Sequence, residues 1–221
     1  MQTLIKTFNS ITSNRRLQGF LVLSVALTFC VTSAIVSAAI WGLNTTQFFE
    51  TSWLEKVADI AGGFGAIVVG LIITPALMPL IASIFEEPML KALAKETDTP
   101  APASNGSFIA DLFEDLRFLV TTIVLNVLFI PLYFIPGINV AVYYVLNGYL
   151  LGREFFTTVE ANYSSKRHAR STYKAHKSKL FGYGIILAFI ATLPVLNWFL
   201  PVFALTLMFH VRLTLEGHPH E

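Results

Sequence analysis

The sequence predicts an all-α integral membrane protein with two transmembrane helices, two half-penetrating helical hairpins and an N-terminal interfacial helix. Three observations carry that prediction. Apolar residues make up 54% of the 221-residue chain and charged ones only 13%, against roughly 25% charged in an ordinary soluble domain. No Asp, Glu, Lys, Arg or His occurs in residues 17–49, 60–85, 118–152 or 180–209. Two of these runs suit one bilayer crossing each, while the last two are interrupted near their middles by proline and fit neither one crossing nor two.

Residues 1–18 place Leu4, Phe8 and Ile11 at i, i+4 and i+7 with Lys6, Asn9 and Ser10 elsewhere on the wheel, the pattern of a short helix lying in the headgroup region. Residues 19–43 are uncharged; as a helix they reach ~37 Å, enough for a hydrocarbon layer of ~30 Å with tilt. Trp41 sits where an interfacial aromatic belongs. The run is about twice the ~7–15-residue apolar region of a cleaved signal peptide, so it is read as a retained helix. In the second crossing, 60–85, Gly62, Ala66 and Gly70 recur every four residues. They make either a stripe for close helix approach or the ordinary glycine content of membrane helices. Pro75 and Pro79 predict kinks there.

Residues 118–152 would form a helix of ~52 Å if continuous, but Pro131 and Pro136-Gly137 interrupt them. Residues 180–209 are broken at Pro194 and Pro201. The breaks resemble each other, Ile135-Pro136-Gly137-Ile138-Asn139 beside Leu193-Pro194-Val195-Leu196-Asn197. They are read as the tips of two re-entrant hairpins, the alternative being two unrelated proline kinks. Loop charge agrees with re-entry: residues 86–117 and the basic segment 153–179 together carry ten Lys and Arg, which places both in the cytosol with the N- and C-termini. Residues 97–107, TDTPAPASNGS, have linker composition. Arg167, Arg170, Lys174 and Lys177 fall on one helical face, for anionic headgroups of membrane lipids or for a soluble partner.

No phosphate-cradling glycine loop, HExxH, CxxC or nucleophile elbow occurs, so no catalytic residue, cofactor or metal is expected. A net charge of +1 gives no general attraction to nucleic acid. Single Cys30 forms no internal disulfide. His168, His176 and the terminal His218 and His220 are read as solvated, since they make no closed ligand set. The most suggestive feature is Arg15-Arg16, which follows Ser13-Asn14 and precedes the first crossing. Cytosolic anchoring explains the arginines without a ligand. The functional alternative is that Ser13 and Asn14 cap the helix, and free N–H groups and two guanidinium groups hold a tetrahedral oxyanion. Asn139 and Asn197, at the two tips, are candidates to line a pore for that anion, or else bond between helices.

The segments Leu132-Tyr133-Phe134-Ile135-Pro136-Gly137-Ile138, Leu193-Pro194-Val195-Leu196-Asn197 and Asn147-Gly148-Tyr149-Leu150-Leu151-Gly152-Arg153-Glu154 resemble the CysZ-type sulfate permeases and the wider etoposide-induced-protein domain. The resemblance implies a bacterial inner-membrane homo-oligomer that passes sulfate inward for cysteine synthesis. It also implies a sulfate site at a Gly-hydrophobic-Arg-Arg motif, which Arg15 and Arg16 match while Ser13-Asn14 stands in place of its first two residues. A membrane scaffold of the same domain family, without transport, is the alternative expectation.

Overall fold

A computed structural model describes residues 2–45, 52–103 and 108–217, and these are helical with no strand among them. In chain order the helices are α1 (Gln2–Ser13), α2 (Arg15–Thr45), α3 (Ser52–Glu96), α4 (Phe108–Tyr133), α5 (Ile138–Ala161), α6 (Lys166–Ala175), α7 (Lys177–Ala191), α8 (Pro194–Asn197) and α9 (Leu200–Leu215). They divide into two compact units, Gly19–Phe85 and the combination of Met1–Gln18 with Glu86–Glu221. The last four residues of the expected linker and the terminal His218 and His220 lie outside the described residues.

In the unit Gly19–Phe85, α2 contributes the stretch most suited to lipid. Within Arg15–Gly42 an 18-residue window reaches a mean hydropathy of 2.3, and the 28 residues of the stretch span ~42 Å at ~1.5 Å each. Val22, Leu23, Phe29 and Trp41 on it are exposed. Leucine-rich helices that cross soluble cores are buried instead, so this surface suits a hydrocarbon solvent. The Phe20 and Phe85 rings meet at 6.0 Å. α3 is one helix through positions 75 and 79, so the two prolines expected to kink it do not end it.

In the other unit α9 forms the centre. It is mostly apolar, and nearly every residue from Leu200 to Leu213 is buried, His210 and Arg212 included, as the innermost helix of a bundle must be. α1 packs on it with Thr3, Thr7 and Ser10 buried, while Ile5 and Phe8 point outward, 55% and 63% exposed. A soluble amphipathic helix would do the reverse. Tyr183 Oη donates to Thr3 Oγ1 at 3.2 Å, tying α1 to α7 as well.

The closest packing is between α5 and α7, and it depends on missing side chains. A Cβ on Gly152 would lie 2.7 Å from the Leu180 carbonyl oxygen, one on Gly148 2.9 Å from Ile185 Cγ1, and one on Gly184 would overlap the Gly148 carbonyl oxygen. Small residues at such a crossing let backbones touch where lipid offers no hydrophobic drive to association.

Both long apolar runs break at their prolines, but by different geometry. Between α4 and α5 the chain turns over residues 134–137, with Gly137 at φ 83° as the N-cap of α5, a conformation that favours glycine. Pro131 sits inside α4 without ending it. In the second run Leu193 is extended (φ −94°, ψ 109°) ahead of Pro194, which starts the one-turn α8, as the residue before a proline and a proline at a helix start prefer. Pro201 then lies in the first turn of α9. The five-residue similarity between the two breaks is therefore not a similarity of backbone conformation.

α6 is capped by Ser165, whose Oγ accepts from the His168 N–H at 3.2 Å. It stops at His176 (φ −115°, ψ 22°), which also begins α7. The single basic face expected over residues 167–177 is thus cut: Arg167, Arg170 and Lys174 belong to α6, and Lys177 opens α7 with its Nζ 5.5 Å from the Tyr149 ring centre.

Candidate functional site

Ser13, Asn14, Arg15 and Arg16 meet Ala92, Lys95 and Glu96 from the end of α3 around a cavity of about 530 Å³. All seven belong to the unit built from Met1–Gln18 and Glu86–Glu221. Asn14 breaks the chain between α1 and α2. Its Oδ1 accepts from the N–H groups of Arg16 at 3.0 Å and Leu17 at 3.4 Å, so Asn14 is the N-cap of α2, as its residue type favours. Capping in this way occupies two of the helix-start donors that the sequence reading assigned to an anion. The guanidinium groups of Arg15 and Arg16 and the Lys95 ammonium remain; Arg15, Arg16 and Lys95 are exposed. Ser13, the last residue of α1, is also exposed at the rim.

Glu96 organises this corner. Its Oε2 accepts from Asn14 Nδ2 at 2.6 Å and its Oε1 from Ser10 Oγ at 2.7 Å. Ser10 Oγ in turn lies 3.0 Å from Nε2 of the buried His210 on α9. Asn14 is thereby fixed at both ends of its amide, one on α2 and one on α3. Three cations against one carboxylate leave the cavity net positive. Nothing in the sequence connects residues 10, 14, 96 and 210; only the fold brings them together.

The candidate pore asparagines are separated from this cavity. Asn139 lines another, of about 350 Å³, with Tyr133, Tyr143, Tyr144 and Thr192, and its Oδ1 accepts from the next backbone N–H, Val140, at 2.8 Å. Asn197 is half-buried at the end of α8 and does not line that cavity.

Two polar clusters that sequence reasoning did not single out hold the same unit together. Glu86 accepts a hydrogen bond from Asn162 Nδ2; burial pushes the Glu86 carboxyl above its ordinary range, opposed by that hydrogen bond and by Lys166. Arg212 Nε donates to the buried Glu160 Oε2 at 3.0 Å, its NH2 group donates to Glu216 Oε1 at 2.6 Å, and its guanidinium carbon lies 3.9 Å from the Tyr163 ring centre. Burial raises the Tyr163 phenol to about 12. Among the described residues no group of three His, Cys, Asp or Glu is placed to hold a metal ion.

Residues 3–201 match the family model described as sulfate transporter CysZ/etoposide-induced protein 2.4. Comparison with curated proteins and with solved structures gives no match.

Proposed function

The chain belongs to the sulfate transporter CysZ/etoposide-induced protein 2.4 family, and from that premise we propose that it moves sulfate or a similar small oxyanion passively across a membrane, with Arg15 and Arg16 as the anion's first contact. The observation that carries the reading is the cavity in which α1, α2 and α3 bring Arg15, Arg16 and Lys95 together. A volume of this order accepts a small anion with water around it, and guanidinium groups bond oxyanions in pairs. Glu96 holds Asn14, and Asn14 holds the start of α2, so both arginines enter the site from a fixed helix turn. No nucleotide site and no acidic residue in any apolar run offers coupling to ATP or to a proton path, which favours passive movement.

In this reading the protein is a homo-oligomer of the bacterial inner membrane that serves cysteine synthesis, and residues 19–43 and 60–85 cross the bilayer. α1 lies at the interface with Ile5 and Phe8 toward lipid. Residues 118–152 and 180–209 enter and return, their tips carrying Asn139 and Asn197 toward the anion's path. Topology has a direct measurement. Cysteines placed at the exposed Ala103 and Ser171 in a Cys30→Ser background should label from the same, cytosolic side; labelling from opposite sides would replace the first hairpin by a full crossing.

Transport is tested by radiolabelled sulfate uptake into proteoliposomes. Uptake above protein-free vesicles is expected, and none would favour the scaffold alternative. Arg15→Lys with Arg16→Lys keeps the charge that sets topology but loses the planar fork. Loss of the second bond of each bidentate pair is expected to weaken sulfate binding by about tenfold, the exposure of both side chains limiting the effect. Normal insertion with unchanged sulfate binding would make the pair an anchor only.

A further inference from the structure

A further cavity in the unit built around α9 lies elsewhere, between α4, α5 and α7, with a volume of about 660 Å³. Its lining changes character along all three helices in the same sense. On α4, Thr121 comes before Leu125 and Phe129; on α7, Lys177 and Ser178 come before Phe181; on α5, which runs the other way, Tyr149 comes after Val145. One end is therefore polar and cationic, and the rest is a trench of apolar walls. The helical rise from Thr121 to Phe129 gives it a depth of ~12 Å. Val145 is 49% exposed, so the trench opens sideways along the bundle, where α4 also exposes Val124, Val127 and Leu128.

Among the described residues the charge at the polar end has no ion-pair partner. Lys177 lies over the Tyr149 ring and forms no ion pair among the described residues, while Lys174 and Lys179 beside it in sequence carry the same sign. Among the described residues no carboxylate lines the cavity. An ammonium over an aromatic face, with a serine hydroxyl next to it and an apolar trench leading away, is complementary to an amphiphile with an anionic head. We propose that this groove holds one acyl chain of an anionic phospholipid, whose phosphate is bound by Lys177 and Ser178. The site needs the chain's place in a bilayer but is independent of Arg15 and Arg16, so it stands or falls apart from the transport reading.

The test uses the full chain, delipidated in mild detergent and followed by native mass spectrometry with phosphatidylglycerol or phosphatidylcholine. One retained phosphatidylglycerol per chain is expected, preferred over phosphatidylcholine by about fivefold, the usual contribution of one interfacial lysine. Lys177→Gln should abolish the preference while leaving the chain-dependent part. Val145→Trp, which fills the trench from an exposed position, should lower retention of both lipids by about tenfold. Thermal melting of each variant alongside wild type shows whether it is folded, and both replaced side chains are exposed. The proposal is overturned if both folded variants retain phosphatidylglycerol as wild type does. It is equally overturned if glycerol phosphate, which has no acyl chain, competes as well as the lipid, or if the wild type covers the groove by forming a dimer that excludes lipid.

Discussion

Gly184→Ala is expected to destabilise the bundle by about 3 kcal/mol or more. Adding methylenes to a packed interior commonly costs about 1–3 kcal/mol because neighbours can shift. Here the added Cβ would overlap the Gly148 carbonyl oxygen and stand 2.9 Å from the Gly152 Cα, and backbone in the middle of a helix cannot rotate away. α5 and α7 must separate along their length, and their contact is the most extensive between any two helices of this unit. Gly182→Ala is the control: two residues away on the same helix, its Cβ would meet nothing within 4 Å. That substitution should be neutral or stabilise by up to about 1 kcal/mol through helix propensity. The midpoint of thermal unfolding in detergent, with size-exclusion profiles, distinguishes the two. Equal melting of the Gly184 and Gly182 variants would show that α5 and α7 are not in backbone contact.

That crossing was legible in part. Gly148 and Gly152 are four residues apart and Gly184 lies on the next long helix, the spacing of a close-packed membrane pair. Gly62, Ala66 and Gly70 on α3 have the same spacing, and the neighbouring Gly63 and Gly65 meet open space. Spacing alone shows that a helix has a small-residue face; it does not show which partner occupies it. The helix breaks near Pro136 and Pro194 were legible because proline's effect on its own backbone is local. Their different geometries were not, since glycine at 137 and valine at 195 give the chain unlike freedom that a similarity of hydropathy hides.

The candidate site divides along the same line. Asn14 as a cap and Arg15-Arg16 as a basic pair beside a helix start depend on residues adjacent in sequence, and both are visible there. Lys95 and Glu96 are not: Glu96 reaches Asn14 across 82 residues, and Ser10 reaches His210 across 200. Charge pattern assigned residues 86–117 to a cytosolic loop, a level of description at which Glu96 is one charge among several. Its effect on the site comes from its position, which fixes the cap and lowers the net positive charge that an anion meets.

Arg212→Met is the second large effect, expected to cost about 3–5 kcal/mol, the range for removing one partner of a buried ion pair. The Arg212 and Glu160 side chains are only 11% and 6% exposed, so water does little to replace the lost partner. Among the described residues Ser164 Oγ, 3.2 Å from Glu160 Oε1, is the hydrogen-bond donor left to this carboxylate, and one neutral hydroxyl does not offset a guanidinium. Glu216 loses its 2.6 Å contact too, but at 38% exposed it can turn to solvent. Arg212→Lys should recover only part of the loss, because an ammonium keeps the charge while losing the planar stack on Tyr163. Combining Arg212→Met with Glu160→Leu removes both buried charges and should be markedly less destabilising than Arg212→Met alone. Equilibrium unfolding of the three variants in detergent tests the ordering. If the double variant is as unstable as Arg212→Met, packing of the arginine stem, not the unpaired Glu160 charge, holds α5 to α9 at this end of the bundle.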